Sequence, residues 1–102
     1  MYDMNNRRKV ADLEKGAPNA WTNFKAFEKA TIADGAIPKK YKELIALGVA
    51  LTTQCPYSLE LHRHAAIQAG ATAEELAETV MVAALMRAGA AVMHGTHLMP
   101  QS

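Results

Sequence analysis

The chain has 102 residues, 50% of them apolar but only 6% aromatic, which allows one small domain with a core of Ala, Leu, Val, Ile and Met. A formal net charge of +1 gives no long-range field for nucleic acid or an anionic membrane, so we expect neither as a partner. The single cysteine, Cys55, excludes an intrachain disulfide.

Helical patterns dominate the sequence, and the period-two alternation of strands is not sustained anywhere. We therefore predict an all-α fold, a compact domain of five to six helices. Because the chain is small and half apolar, we also expect it to cover some of its surface by oligomerising. The first helix is predicted over residues 5–15, with Val10 and Leu13 facing inward. The basic run at residues 7–9 is interpreted as a solvated turn of that helix.

The second and third helices follow from the spacing of apolar residues and from their start signals. Asn19 is a suitable N-cap for a helix over residues 20–32. Pro38 opens a third helix over residues 39–53. Apolar side chains cover most of the surface of this third helix, so we expect it to be central.

The fourth and fifth helices are separated by a glycine stop. Cys55 and Pro56 restart the chain as a fourth helix that is predicted to end near residue 69, with Cys55 at the N-cap. Residues 72–75 form a capping-box sequence that announces a fifth helix over residues 75–93. The remaining tail is expected to add one further turn.

The sequence indicates one domain over residues 1–102, with an N-terminal helix in residues 1–17 and the core in residues 18–99. No apolar leader precedes the first helix. No uninterrupted apolar run, such as that at residues 80–85, approaches the length of a membrane span. We therefore expect a soluble, cytoplasmic protein.

Cys55 lies in a setting that favours reactivity. At a helix N-cap, free backbone N–H groups and the helix dipole favour a thiolate over a thiol. Ser58 then occupies the third helical position, and His62 follows one turn later on the same face. If the third and fourth helices fold back on each other, Glu43 can reach His62. We expect these four residues to converge as nucleophile, hydrogen-bond donor, base and orienting carboxylate.

The spacing Glu43-x11-Cys55-x2-Ser58-x3-His62 resembles the signature of the alkylhydroperoxidase D-like family, also called the carboxymuconolactone decarboxylase family. Redox-active members carry Glu-x11-Cys-x2-Cys-x3-His. The resemblance extends over about residues 20–93. It implies an all-helical domain that forms homo-oligomers, often trimers or hexamers, with sites near subunit contacts.

The resemblance implies roles for individual residues. Glu43, Cys55 and His62 match the relay glutamate, the first cysteine and the relay histidine. Ser58 departs from the pattern, because it stands where family peroxidases have the second cysteine, the one that attacks peroxide. A two-cysteine cycle is therefore impossible. A single-thiol cycle remains, in which Cys55 becomes a sulfenic acid that a small thiol or a partner protein clears.

The leading hypothesis is a thiol-dependent redox enzyme of the peroxidase type, acting on a small-molecule peroxide or on a thiol/disulfide substrate. Catalysis would depend on Cys55, His62, Glu43 and Ser58. We predict neither a cofactor nor a bound metal. His94 and His97 could share a helix face, but the sequence offers no third ligand near them.

Two alternatives remain open at this stage. In the first, the chain is a lactone decarboxylase-type enzyme in which His62 or His64 does acid–base work on a carboxylated substrate. Arg63 or Arg87 would then anchor the carboxylate. In the second, the chain is a non-catalytic oligomeric member of the family that has lost its second redox cysteine.

Overall fold

The computed structural model describes residues 2–101, so the two ends of the predicted domain, Met1 and Ser102, lie outside the described residues. Within residues 2–101 the chain forms helices and no strand, which confirms the predicted all-α class. The elements, in chain order, are a 3₁₀ helix at Met4–Lys9, α1 at Val10–Gly16, α2 at Pro18–Ile32, α3 at Lys39–Thr53, α4 at Pro56–Gln68, α5 at Ala73–Gly95 and a 3₁₀ turn at Thr96–Leu98.

The centre of the fold is α3, which packs against α2, α4 and α5. Its buried apolar residues, Leu47 and Ala50, meet Ala66 of α4 and Ala83 of α5 in one small core. Three of these four side chains are alanine, so the helix backbones can approach closely. The predicted bounds and the central position of the third helix are confirmed. Ile45, on the outer face of this helix, is 54% exposed.

The capping box predicted before the fifth helix is present. The Thr72 hydroxyl accepts a hydrogen bond from the Glu75 backbone N–H at 3.1 Å. The Glu75 carboxylate accepts one from the Thr72 backbone N–H at 2.9 Å. Two N–H groups that would otherwise lack partners are thereby satisfied. The helix then runs without a break through Gly89, to Gly95.

The N-terminal region differs from the sequence prediction. Val10 and Leu13 are 39% and 60% exposed, so the prediction that they face inward is wrong for the single chain. The second helix starts earlier than predicted, with Pro18 at its first position and Ala17 as N-cap. Proline fits the first helical turn because the N–H that it lacks would have had no partner there.

The fifth helix is mostly uncovered, and here the sequence prediction needs a correction. The segment Ala73–Leu98 contains an 18-residue window of mean hydropathy 1.5, which is long and apolar enough to cross a membrane by length and composition. Uninterrupted runs alone do not reveal this segment, because Thr79, Arg87 and Gly89 interrupt them while the mean hydropathy of the window stays high. One such helix is weak evidence for a membrane location, since the core helices of soluble proteins pass the same test.

Candidate active site

The junction between α3 and α4 sets the position of Cys55. Gln54 adopts a left-handed conformation, with φ of 57°, and caps α3 through a backbone hydrogen bond to the Ala50 carbonyl. Cys55 is extended, and its N–H also donates to that carbonyl, at 3.1 Å. Pro56 then begins α4, which packs back on α3. Cys55 is therefore the N-cap of α4, as predicted.

The sulfur of Cys55 lies among polar groups from the first turn of α4. The Ser58 hydroxyl, the largest influence, lowers the pKa of the Cys55 thiol, and the backbone N–H groups of Ser58 and Tyr57 lower it further. Partial burial acts in the opposite direction. The Cys55 side chain makes no capping hydrogen bond at the start of α4. The Ser58 hydroxyl and the two backbone N–H groups therefore act on the thiol as nearby dipoles. The net effect favours the thiolate.

A second pair joins α3 to α4. Nδ1 of His62 lies 3.0 Å from Oε2 of Glu43, and the Glu43 residue is only 1% exposed. A buried carboxylate needs a partner, and this histidine supplies it. With Nδ1–H donating to Glu43, Nε2 of a neutral His62 is left as a proton acceptor. The contact is the one that the sequence analysis anticipated across the helix hairpin.

The structure thus places the four predicted residues in two pairs, Cys55 with Ser58 and Glu43 with His62. No hydrogen bond within residues 2–101 joins His62 to Cys55 or Ser58. Glu43 and His62 line a cavity of about 450 Å³. Ser58 lines a neighbouring cavity of about 640 Å³. Leu61, one residue before the histidine, and Glu28 of α2 border both cavities.

The cationic residues that the lactone alternative requires lie elsewhere. Arg87 donates through Nη1 to the Thr52 carbonyl oxygen. Arg63 borders an apolar cavity of about 420 Å³ between α3, α4 and α5. Neither arginine lines the cavity of Ser58 or that of His62, while His64 is exposed on α4. This form of the lactone hypothesis therefore loses its proposed anchors.

The C-terminal histidines form a pair and nothing more. The rings of His94 and His97 meet edge to face with centroids 5.2 Å apart. Within residues 2–101 there is no group of three or more His, Cys, Asp or Glu side chains that could hold a metal ion.

Sequence analysis missed the residues that surround Ser58. Its cavity is bordered by Arg7 and Arg8 of the N-terminal 3₁₀ helix and by Lys25 of α2. The basic run is exposed, as predicted, and it also lies at the edge of this cavity. Tyr57 holds that segment in place. Its hydroxyl oxygen accepts hydrogen bonds from the Asp3 backbone N–H at 3.2 Å and from Nδ2 of Asn6 at 3.3 Å. No local pattern connects residues so far apart in sequence, so only the packing shows the contact.

Comparison with known proteins gives consistent matches. The sequence profile of the carboxymuconolactone decarboxylase family matches residues 18–99. An uncharacterised protein of the cox locus of Paracoccus denitrificans is 51% identical over 71 residues, which are 70% of this chain and 64% of that protein. The chain therefore spans slightly less than two thirds of that relative. An uncharacterised protein of Cupriavidus necator is 32% identical over 89 residues, 87% of this chain and 79% of that protein.

Two solved structures share the fold. One is an apo carboxymuconolactone decarboxylase family protein from Legionella pneumophila, with a TM-score of 0.78 and 35% identity, covering 90% of this chain and 82% of that one. The other is a protein from Methanobacterium thermoautotrophicum, with a TM-score of 0.80 and 31% identity, covering 86% of this chain and 99% of that one.

Proposed function

Because the chain belongs to the carboxymuconolactone decarboxylase family, we propose that it is a thiol-dependent redox protein in which Cys55 is the reacting group. One observation carries the proposal: Cys55 is the N-cap of α4, and the first turn of that helix lowers the pKa of its thiol. The thiolate is the nucleophilic form of cysteine. A small-molecule hydroperoxide is the substrate that we propose for it.

The proposed first step oxidises the sulfur. The Cys55 thiolate attacks the terminal oxygen of the hydroperoxide, so that an S–O bond forms and the O–O bond breaks. The other oxygen leaves as an alkoxide, which takes up a proton and departs as an alcohol. Cys55 is left as a sulfenic acid.

Ser58 determines how the cycle must be completed. Since Ser58 carries no sulfur, it cannot form a disulfide with Cys55, and the reductant must come from outside the chain. A small thiol attacks the sulfenic sulfur, which releases water and gives a mixed disulfide. A second thiol then restores the Cys55 thiol and leaves as a disulfide. The two small thiols supply the two electrons that reduce the peroxide.

His62 and Glu43 are proposed as the proton relay. Glu43 orients the imidazole through the 3.0 Å contact at Nδ1. Nε2 can then take the thiol proton and return it to the alkoxide. Because His62 and Cys55 are not hydrogen-bonded to each other, we propose that this proton moves through solvent between the neighbouring cavities.

The experiment is mild peroxide treatment of the purified protein with an added small thiol, followed by intact-mass measurement. We expect Cys55 to gain one oxygen without the thiol and a thiol adduct with it. The Cys55→Ser variant should gain no thiol adduct, and any oxygen that it takes up at exposed methionines such as Met81 is the blank to subtract. The His62→Ala variant should react more slowly, whereas His64→Ala, which changes an exposed histidine of the same helix, should react at the wild-type rate.

The mass measurement also separates the alternatives. A wild-type protein whose Cys55 gains neither oxygen nor thiol would contradict the redox proposal and favour the non-catalytic alternative. Turnover of small lactones by the same preparation would favour the lactone alternative.

We also propose that the chain works as a homo-oligomer, a trimer or hexamer, in the cytoplasm. The support is the surface of the single chain: its accessible area is 8048 Å², while a compact monomer of 11.0 kDa exposes about 5,600 Å². Large apolar side chains on α5, such as Met81 and Leu85, are each 67% exposed. Contact with further copies would cover them.

A further inference from the structure

We propose that the cavity beside Ser58 binds the carboxylate end of an amphipathic organic acid. This cavity, of about 640 Å³, lies between the N-terminal 3₁₀ helix, α2 and α4. One part of this inference rests on the proposed function: the preferred substrates of Cys55 would be organic hydroperoxides that carry a carboxylate. The binding of the acid itself does not require Cys55 to react.

The charges around the cavity favour an anion. Arg7, Arg8 and Lys25 are its cationic lining residues, and Glu28 is its anionic one. Lys25 and Glu28 form a salt bridge of 2.9 Å and so largely neutralise each other. Within residues 2–101, neither arginine forms a salt bridge with a carboxylate. Two uncompensated guanidinium groups therefore border the cavity, and guanidinium binds carboxylates through paired hydrogen bonds.

The rest of the lining suits an apolar body attached to that anion. Trp21, Val10 and Leu61 contribute apolar surface to the same cavity. Ser58 and Tyr57 lie at its α4 side, next to the start of the helix that carries Cys55. A ligand with a carboxylate at one end and an apolar chain or ring can meet both kinds of lining at once.

The segment that carries the two exposed arginines is anchored beside the cavity. Tyr57 lies at the start of α4, and its hydroxyl oxygen accepts hydrogen bonds from the Asp3 backbone and from the Asn6 side chain. The Tyr2 ring packs edge to face on the Tyr57 ring, with centroids 5.8 Å apart. These contacts anchor the N-terminal segment to α4, at both its start and its middle. The two arginines belong to this segment. The cationic border is therefore part of the folded structure.

Binding can be measured without any chemistry, because Trp21 is the only tryptophan and lines the cavity. The probes are 4-phenylbutanoate and its uncharged amide, each titrated while tryptophan fluorescence is recorded. We expect the carboxylate to give a saturable change and to bind about tenfold more tightly than the amide, as a charge-assisted hydrogen bond would provide. Inorganic phosphate should bind more weakly than the carboxylate, because it lacks the apolar body.

Two variants test which charges matter. Arg8→Gln should weaken the binding of 4-phenylbutanoate by about tenfold and leave the amide unchanged. Lys9→Gln removes the same charge from the same 3₁₀ helix at an exposed residue that does not line the cavity, and should bind like the wild type. Equal binding of acid and amide would overturn the proposal. Equal losses in the two variants would overturn it as well, since a general charge effect would then explain the binding.

The same titration on Cys55→Ser separates this inference from the proposed function. Retained binding in a protein whose wild-type Cys55 takes up no oxygen would reject the redox proposal alone. Wild-type peroxide reactivity without selective carboxylate binding would reject the cavity inference alone.

Discussion

The side chain at position 58 decides what Cys55 can do. A second cysteine there could form a disulfide with Cys55, whereas the serine hydroxyl instead lowers the pKa of the Cys55 thiol more than any other group. The same position therefore acts as a donor to the thiolate and not as its redox partner. Its influence should be visible in the rate of a reaction that consumes thiolate.

We predict that Ser58→Ala raises the pKa of Cys55 towards that of an ordinary thiol. Below the thiol pKa, the rate of alkylation follows the thiolate fraction. Iodoacetamide should therefore modify the variant several-fold more slowly at neutral pH and at the same rate at high pH, where both thiols are ionised. The measurement is the pH profile of the alkylation rate.

Thr53→Ala is the matched control for that profile. It removes a hydroxyl two residues before the cysteine, one that donates to the Val49 carbonyl at 3.0 Å. Its profile should coincide with that of the wild type. Coinciding profiles for Ser58→Ala and the wild type would contradict the assignment of Ser58 as the main influence on the thiol.

A second prediction at the residue scale concerns the buried Glu43. Its carboxylate is 1% exposed and bonds to His62, so His62→Ala strands a charge in the core. We expect a loss of about 3 kcal/mol in the free energy of unfolding, measured with urea at fixed protein concentration. Adding Glu43→Leu should recover much of the loss, because the stranded carboxylate is gone.

His64→Ala, at an exposed position of α4, should cost less than about 0.5 kcal/mol and controls for the loss of an imidazole. A double variant no more stable than His62→Ala would show that the stranded Glu43 carboxylate is not the source of the loss.

Individual residues differ in how far the sequence reveals them. The sequence spacing placed Cys55 at the N-cap and Glu43 within reach of His62, because both depend on helix periodicity and on one tight hairpin. It did not reveal that His62 and Ser58 border different cavities, since residues of α2 and of the N-terminal 3₁₀ helix, distant in sequence, complete those cavities. It also gave no sign of Arg8 at the cavity, because a distant tyrosine fixes that segment.

At the scale of elements, the helix bounds were predictable wherever a local signal exists. Proline at the first position marks α4, and the Thr72–Glu75 capping box marks α5. The left-handed Gln54 that turns α3 into α4 was not predictable, since this conformation ordinarily favours glycine or asparagine. The contacts of α4 on α3 evidently select it.

The stability that the start of α5 contributes should depend on pH, because it depends on the charge of Glu75. Its backbone contact with Thr72, and then its hydrogen bond to Lys40, lower the pKa of this carboxyl below its ordinary value. The stabilisation is therefore present above the unfolded-state pKa and is lost as the pH falls through the lower folded-state pKa. We predict that Glu75→Gln is less stable than the wild type at pH 7, and that the difference shrinks below about pH 4.

Urea unfolding at both pH values checks this prediction. Glu78→Gln, one turn further along α5 and exposed, is the control, and should match the wild type at both pH values. A deficit for Glu75→Gln that does not change with pH would point to packing, and not to the charge of Glu75, as the source of its effect.

At the scale of the whole molecule, the single chain is more extended than a compact domain of its length. Its radius of gyration is 17.5 Å, whereas a compact chain of this length has about 13 Å. Its accessible area exceeds that of a compact monomer by about 2,400 Å², which falls in the range that obligate interfaces bury. Within residues 2–101 only four apolar residues are buried, so the core of one chain is small. The small, apolar composition and the family resemblance both suggested oligomerisation, but a hydropathy pattern does not say whether a helix packs within or between chains.

We therefore predict that the purified protein in detergent-free buffer has a mass of three or six times 11.0 kDa, measured by light scattering after size-exclusion chromatography. Leu85→Glu places a charge on the uncovered face of α5 and should shift the protein to smaller species, because a contact between copies would have to bury that charge. Gln68→Glu adds the same charge at an exposed residue of α4 and should leave the mass unchanged. A wild-type protein that is monomeric in this buffer would contradict the prediction, and one that stays in solution only with detergent would instead support a membrane contact for the α5 face.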